Sequence, residues 1–410
     1  MITYKRSLKQ IPIPLWILFV NSFTMALGFF MLIPLLAVYL LDQLLLSATL
    51  VGIIVGIRSF CQQGLMIFGG FISDRLSYKN VICLGVFIRA IGFISFGFAS
   101  TMTGLVVAAI LSGLGGALFH PSSYAYYTVL STSENRATVY AIREMLSNVG
   151  FIFGPVIGAF LLGFNFQWVC ITAGVMFLIV FLISYFGMPK LTSNNEATKP
   201  FVENVREISS NRKYLKFCAL ILFVWFLVVQ LYVAVPVKLQ SLQLLDVNVG
   251  MIYSAGALII VFLQVPLINR LSSRFSPTYL IGLGSSCVTL GLIILGFSSN
   301  LVGIYCSVIV FTFGQMFIQP MISKQIADIA PQTLIASYFG FNGLALAIGG
   351  MVGNLLGGML YDLGRDIHIN IPWVIFSIVG VTVSFIILST EIRSRKAQQS
   401  KNDVRVKKSI

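Results

Sequence analysis

The chain is a succession of long apolar runs separated by short polar breaks. Twelve such runs cover residues 14–38, 48–72, 80–99, 103–128, 138–163, 167–188, 214–238, 248–270, 278–297, 301–324, 336–361 and 372–391. Each is close to or beyond the ~20 residues with which a helix crosses a hydrocarbon core. None alternates apolar with polar positions as a membrane-spanning strand does, and in lipid only helices and closed barrels satisfy their own backbone. The pattern predicts an all-α membrane protein of twelve transmembrane helices, numbered spans 1 to 12. The first run has no small-residue cleavage site and leads straight into further runs, so it is read as a span rather than a secretory leader.

Residues 189–213 form the longest polar stretch between runs. They predict an N-terminal six-helix bundle (1–188), a cytoplasmic central linker (189–213), a C-terminal six-helix bundle (214–391) and a basic cytoplasmic tail (392–410). The halves align at a constant offset of 199 residues. Gly115 and Pro121 meet Gly314 and Pro320, Gly150, Gly154 and Gly158 meet Gly349, Gly353 and Gly357, and Arg75 meets Arg274. Parallel repeats of this kind imply two bundles related by an axis along the membrane normal, with substrate held between them near the midplane.

Composition narrows the field. The chain is 57% hydrophobic and 10% charged, against about a quarter charged in a soluble domain, so polar side chains are too few to cover a water-facing surface. A net charge of +14 raises nucleic acid as a partner, but its distribution argues otherwise. Lys238 and Arg365 fall on the outer side, Arg58, Arg89 and Arg143 fall inside runs, and every other Lys and Arg lies on the side of the termini and the linker. That asymmetry predicts cytoplasmic termini in a multi-pass cell-membrane protein, with no nucleic-acid partner. The basic tail Lys401–Lys408 is read as topology and lipid-headgroup attraction. The six cysteines lie in apolar runs without metal-ligand spacing, so they are read as small core residues and no metal is expected.

Two motifs stand out. Span 2 ends in Gly69-Gly70-Phe71-Ile72-Ser73-Asp74-Arg75-Leu76-Ser77-Tyr78-Lys79. Asp74 is placed to meet the N-terminus of span 11, where the helix dipole favours a carboxylate, and such a contact would hold one conformation shut. Span 5 carries Gly150, Gly154, Pro155 and Gly158, a smooth stripe for close helix packing with a proline that can kink it. Gly70, Asp74, Arg75, Lys79, Gly150, Gly154, Pro155 and Gly158 are therefore the candidate gating residues. These stretches resemble the major facilitator superfamily, and within it the twelve-span drug:proton antiporter class. Gly70, Asp74, Arg75 and Lys79 match the loop signature after span 2 while Ser77 and Tyr78 depart from it, and the span 5 stripe resembles the antiporter motif with Ala159 in place of its last glycine. The resemblance implies two six-helix bundles, efflux by alternating access, and contact between spans 5 and 8.

Ionisable side chains inside a span are costly and mark function or pairing. Glu144 is the one acidic residue of 13 within a predicted run; the others lie in loops, in tails or at run ends. Burial and a neighbouring cation act on its ionisation in opposite senses, which suits a proton-coupling acid, with Arg143 and His120 as partners; a purely structural ion pair is the other reading. Arg143 shares a helix face with the span 5 glycines, which aims it at the interface or the cavity. Arg58 and Gln62 are expected on the cavity wall; the resemblance implies that span 3 packs outside the cavity, and hence a structural role for Arg89. By the repeat, Arg58, His120, Arg143 and Glu144 correspond to Ala257, Gln319, Asn342 and Gly343, so the second bundle keeps the geometry without the charge. It offers Gln230, Gln264, Gln315, Gln319, Asn342 and Asn354 for neutral recognition.

The resulting expectation is a proton-coupled exporter of small organic molecules acting as a monomer, with the proton gradient as energy source and no cofactor. Three buried arginines against one acid point to an anionic substrate, such as a carboxylate drug or hydroxycarboxylate siderophore. The alternatives are an importer of an organic anion and a non-transporting membrane sensor, for which loops and tails are too short. No nucleophile–base arrangement supports an enzyme, and no phosphate-binding G-x4-G-K-[ST] loop supports an ATP-driven pump.

Overall fold

The computed structural model describes residues 11–191, 200–244, 249–366 and 370–408. Among the described residues, twelve helices are long and apolar enough to cross a membrane: Ile13–Asp42, Leu50–Arg75, Tyr78–Phe98, Met102–Leu130, Arg136–Leu162, Phe166–Gly187, Arg212–Ser241, Val249–Leu271, Pro277–Phe297, Leu301–Ile329, Ile335–Gly364 and Ile371–Ile392. They are spans 1 to 12 in order. Apolar side chains such as Phe60, Phe160, Phe262 and Phe385 point outward from them, as lipid-facing surfaces require. Side-chain oxygens set several starts: Thr101 accepts from Gly104 N, Asn165 from Gln167 N, Asn211 from Tyr214 N and Ser276 from Tyr279 N.

Spans 1, 2, 7, 10 and 11 run three or more residues beyond the ends of the apolar runs, and spans 4 and 12 one or two. Acids expected in loops, Asp74 and Asp328 among them, therefore sit on helix ends. Lys238, expected among the outer loops, is buried in span 7, where Nζ donates to Gly296 O at 2.7 Å under the Trp373 ring. The central polar stretch contains a helix of its own, Phe201–Ser210, which buries Asn204 and Ile208. Residues 1–10 and 192–199 lie outside the described residues, as do the side chains of the basic tail, although its backbone continues span 12 as helix to Lys408. Cys306, read as a core residue, is exposed.

Each bundle packs internally by the same scheme. Span 1 lies on span 5 and span 7 on span 11; span 3 lies on span 4 and span 9 on span 10. The matched glycines make these contacts. A Cβ on Gly85 would stand 2.8 Å from Gly115 O, and one on Gly284, 199 residues later, 2.7 Å from Gly314 O. Gly150 and Gly154 rest on the span 1 backbone near Leu27, and Gly349 and Gly353 on span 7 near Leu222 and Phe226. The span 5 glycine stripe thus packs within its own bundle rather than across the interface. Between the bundles, spans 2, 4 and 5 meet spans 8, 10 and 11, including the expected contact of spans 5 and 8, where Thr138 Oγ1 donates to Asn269 Oδ1 at 3.2 Å.

Candidate functional site

A cavity of about 240 Å³ lies between the bundles. Gln62 and Gln63 of span 2, His120 and Tyr124 of span 4, and Arg143, Glu144 and Asn148 of span 5 form one wall. Trp225 of span 7, Gln264 of span 8, Gln315 and Gln319 of span 10 and Asn342 of span 11 form the other. A second recess of about 180 Å³ shares Glu144, Asn148, Ile260 and Gln315 with it and extends, past Phe30, Tyr232 and Tyr253, away from the face that carries the central linker. The repeat is visible here: His120 and Gln319, and Arg143 and Asn342, occupy corresponding places on opposite walls.

Charge in the cavity is concentrated at one point. Arg143 Nη1 donates to Glu144 Oε1 in an ion pair whose side chains are only 10% and 15% exposed. The Arg143 guanidinium also lies 4.5 Å from the centre of the Tyr124 ring. Tyr124 Oη donates to Glu144 Oε1 at 3.4 Å and accepts from Gln319 Nε2 at 2.8 Å, and its ring stacks on Phe339 of span 11 at 4.9 Å. One phenol therefore touches the acid, the cation and two spans of the other bundle. Tyr124 was not among the residues expected from the sequence. The available signal was its spacing of four from His120, which places both on one helix face. Asn148, likewise one turn beyond Glu144, donates to the Glu144 carbonyl at 2.9 Å.

The linker face is closed beneath the cavity. Asp74 at the end of span 2 is buried; Oδ1 accepts from Ala336 N at 3.0 Å and Oδ2 from Ser337 N at 2.7 Å, at the first turn of span 11. Its Oδ1 also accepts from Tyr78 Oη at 3.3 Å. This is the helix-N-terminus contact that the sequence predicts. Gly70 makes it possible, because a side chain there would run into the Ala336 carbonyl. A second link, Arg136 Nη1 to Asp328 Oδ1 at 2.8 Å, joins the start of span 5 to the end of span 10, with Lys324 Nζ on the other carboxylate oxygen at 2.9 Å. The sequence reading missed it because both partners lay beyond the apolar runs.

Several expected site residues lie elsewhere. Arg58 is not on the cavity wall: it is buried behind it, donating to Gln62 Oε1 and Ser59 Oγ, each at 3.0 Å, with its guanidinium 5.0 Å from the Phe29 ring centre. Gln230 is also off the wall. It is fully buried against Gly357 and donates to Phe226 O and Gly353 O, at the position where the first bundle packs Met31 on Gly158. Polarity alone marked it as a ligand, and the repeat shows it as packing. Asn354 is exposed and lines neither recess. Lys79 faces outward, its ammonium 5.6 Å from the Tyr185 ring in a groove between spans 3 and 6, away from span 11. The Arg75 guanidinium lies over Phe71 at 4.5 Å. Arg89 is enclosed by the Phe29, Phe93 and Phe177 rings, outside the cavity.

Comparison with known proteins places this architecture. The sequence model of the Major Facilitator Superfamily matches residues 18–354. The multidrug resistance proteins MdtH of Salmonella paratyphi C (strain RKS4594) and Salmonella newport (strain SL254) are each 29% identical over 382 residues, covering 93% of this chain and 94% of theirs. Among solved structures, the human organic anion transporter MFSD10 (TETRAN) superposes with a TM-score of 0.72 at 14% identity, covering 92% of this chain and 99% of its own. The E. coli fucose:proton symporter FucP superposes with a TM-score of 0.72 at 18% identity, covering 93% and 99%.

Proposed function

The chain belongs to the Major Facilitator Superfamily, and from that premise we propose that it is a proton-coupled exporter of small organic molecules working by alternating access. As a member it is a transporter and not an enzyme. Two six-helix bundles around a central cavity are the frame of such a machine. The likeness to the MdtH multidrug resistance proteins over nearly the whole chain supports efflux. On this reading the protein works as a monomer in the cell membrane, with both termini cytoplasmic and the proton gradient as the energy source.

The observation that carries the coupling is the Arg143–Glu144 pair in the cavity wall, tied through Tyr124 to Gln319 of the other bundle. Protonating Glu144 removes the charge that holds Arg143 and weakens the Tyr124 bond, so proton occupancy and bundle contact change together. His120 lies on the same wall. The substrate is read as anionic, because Arg58, Arg89 and Arg143 are buried in the first bundle and, among the described residues, only Arg143 is paired with an acid, Glu144. Gln315, Gln319 and Asn342 supply neutral hydrogen bonds to the rest of it, in a cavity that Gln62 also lines.

Flux in inside-out vesicles, with and without an imposed pH gradient, tests the proposal. An exporter accumulates substrate in the vesicle when the lumen is acid, and Glu144→Gln abolishes that dependence. A variant still fully driven by the gradient sinks the coupling role, accumulation of opposite sign makes the protein an importer, and preference for lipophilic cations over carboxylates refutes the anionic substrate. Absence of any flux favours the sensor reading.

A further inference from the structure

Two buried cations take no part in the coupling just described. Arg58 in span 2 and Arg89 in span 3 are 6% and 2% exposed. Their guanidinium carbons lie 5.0 and 5.5 Å from the centre of the same ring, Phe29. Among the described residues no carboxylate pairs with either. Donors are left over as well: Arg58 Nε, Arg89 Nε and Arg89 Nη1 are buried and without an acceptor. Aromatic faces attract guanidinium groups, but they are weak compensation for two like charges in a membrane interior.

Gln62 stands between this pair and the cavity. Arg58 Nη1 donates to Gln62 Oε1 at 3.0 Å. Gly116 brings the second arginine to the same place: a Cβ there would stand 2.8 Å from Gln62 Cγ and 2.9 Å from Arg89 Nη1. Gln62 itself lines the cavity. A neutral amide thus takes a bond from one guanidinium group and shares the space over Gly116 with a second, where an anionic oxygen would be held more strongly, since charge-assisted hydrogen bonds are about twice as strong as neutral ones.

We propose that Arg58 and Arg89 form a monovalent-anion site behind Gln62, and that it receives the carboxylate of the transported molecule when Gln62 swings aside. The inference deepens the anionic-substrate reading and rests on it for access through the cavity. Arg143 is set apart from this role because Glu144 already neutralises it. Gln62 acts as an internal competitor that occupies the donors when the site is empty and limits affinity, which favours release.

The test is equilibrium binding of radiolabelled benzoate and chloride to the purified full chain in detergent at constant pH, with no gradient. Benzoate is expected to bind saturably, with chloride a weaker competitor. Arg58→Gln and Arg89→Gln should each weaken benzoate binding at least about tenfold, whereas Gln62→Ala should tighten it several-fold, which a mere packing defect would not do. Chloride binding more tightly than benzoate would make the occupant a free ion and overturn the substrate assignment. Absence of saturable binding, or binding indifferent to Arg58→Gln and Gln62→Ala, overturns the site. Those two variants decide the matter even if Arg89→Gln does not fold. Because no proton gradient is present, failure here leaves proton-coupled export standing, and failure of export in vesicles leaves a measured anion site standing.

Discussion

Asp74→Asn isolates the contact that closes the linker face. In the structure each carboxylate oxygen takes one backbone N–H at the start of span 11, from Ala336 at 3.0 Å and Ser337 at 2.7 Å. Asparagine keeps one acceptor oxygen and turns an NH2 toward the other amide, donor against donor. The loss comprises one hydrogen bond to a charged group, about 1.5–3 kcal/mol, and the attraction of a negative charge to a helix N-terminus, about 0.3–1 kcal/mol. The total of about 2–4 kcal/mol corresponds to roughly a 30- to 700-fold shift toward opening of that face, at about 1.4 kcal/mol per decade. A protein closed about 99:1 would move to between about 3:1 closed and 7:1 open. Spin labels at Glu134→Cys and Gln332→Cys, exposed on the loops between spans 4 and 5 and between spans 10 and 11, report the change as a longer distance between the bundles. Gly70→Ala should lengthen the same distance without touching the charge, because its methyl would enter the Ala336 carbonyl. A folded Asp74→Asn protein with an unchanged distance distribution would refute the reasoning.

Four further outcomes are expected. Arg136→Ala or Asp328→Ala should shift the same distance less than Asp74→Asn does, because partly exposed ion pairs contribute only about 0.2–1 kcal/mol, and the shift should shrink at high salt, as repeating the measurement at two ionic strengths would show. Gln230→Leu should lower thermal stability by about 1–2 kcal/mol through lost bonds to Phe226 O and Gly353 O, with substrate affinity unchanged in an equilibrium binding assay; weaker binding at unchanged stability would return Gln230 to the site. Gly154→Leu should destabilise the protein by at least about 1–3 kcal/mol by pressing on span 1, and Gly353→Leu should do the same against span 7, a calorimetric test of the repeat. Tyr124→Phe removes the phenol oxygen from Glu144 and Gln319 and should blunt the pH dependence of transport in vesicles while retaining the Phe339 stacking.

Much of the architecture was legible because lipid makes the code simple. A run of apolar residues long enough to span has to be a helix, and all twelve runs are helices. The Asp74 contact was legible for a related reason: an acid at one helix end and a free helix N-terminus form a pair that electrostatics names in advance. Orientation about each helix axis was harder. In a nearly all-apolar helix the polar residue marks a special face without saying whether that face meets a cavity or a carbonyl in the next helix. Gln62 meets the cavity, whereas Gln230 bonds to Gly353 O on span 11. The Arg136–Asp328 bridge was illegible because charges at helix ends serve topology as readily as contact. The span 5 glycines announced close packing but not the partner, which proved to be span 1.

The two halves share geometry and differ in chemistry, and their contacts connect the Arg143–Glu144 pair to the Asp74 contact. Glu144 is one hydrogen bond from Tyr124, Tyr124 stacks on Phe339, and Phe339 follows Ser337, whose amide holds Asp74, by two residues on span 11. On the proposed reading, a proton arriving at Glu144 acts on a side chain packed directly against the first turns of the helix that Asp74 holds. Had Asn342 and Gly343 carried the charges of Arg143 and Glu144, the cavity would hold two ion pairs facing each other across the interface, and protonating one would leave the other in place. On the proposed reading, confining the charge to one bundle lets a single proton change the contact between the halves. On the proposed reading this explains why the second bundle keeps the fold of the repeat while replacing Arg143, Glu144 and His120 by Asn342, Gly343 and Gln319.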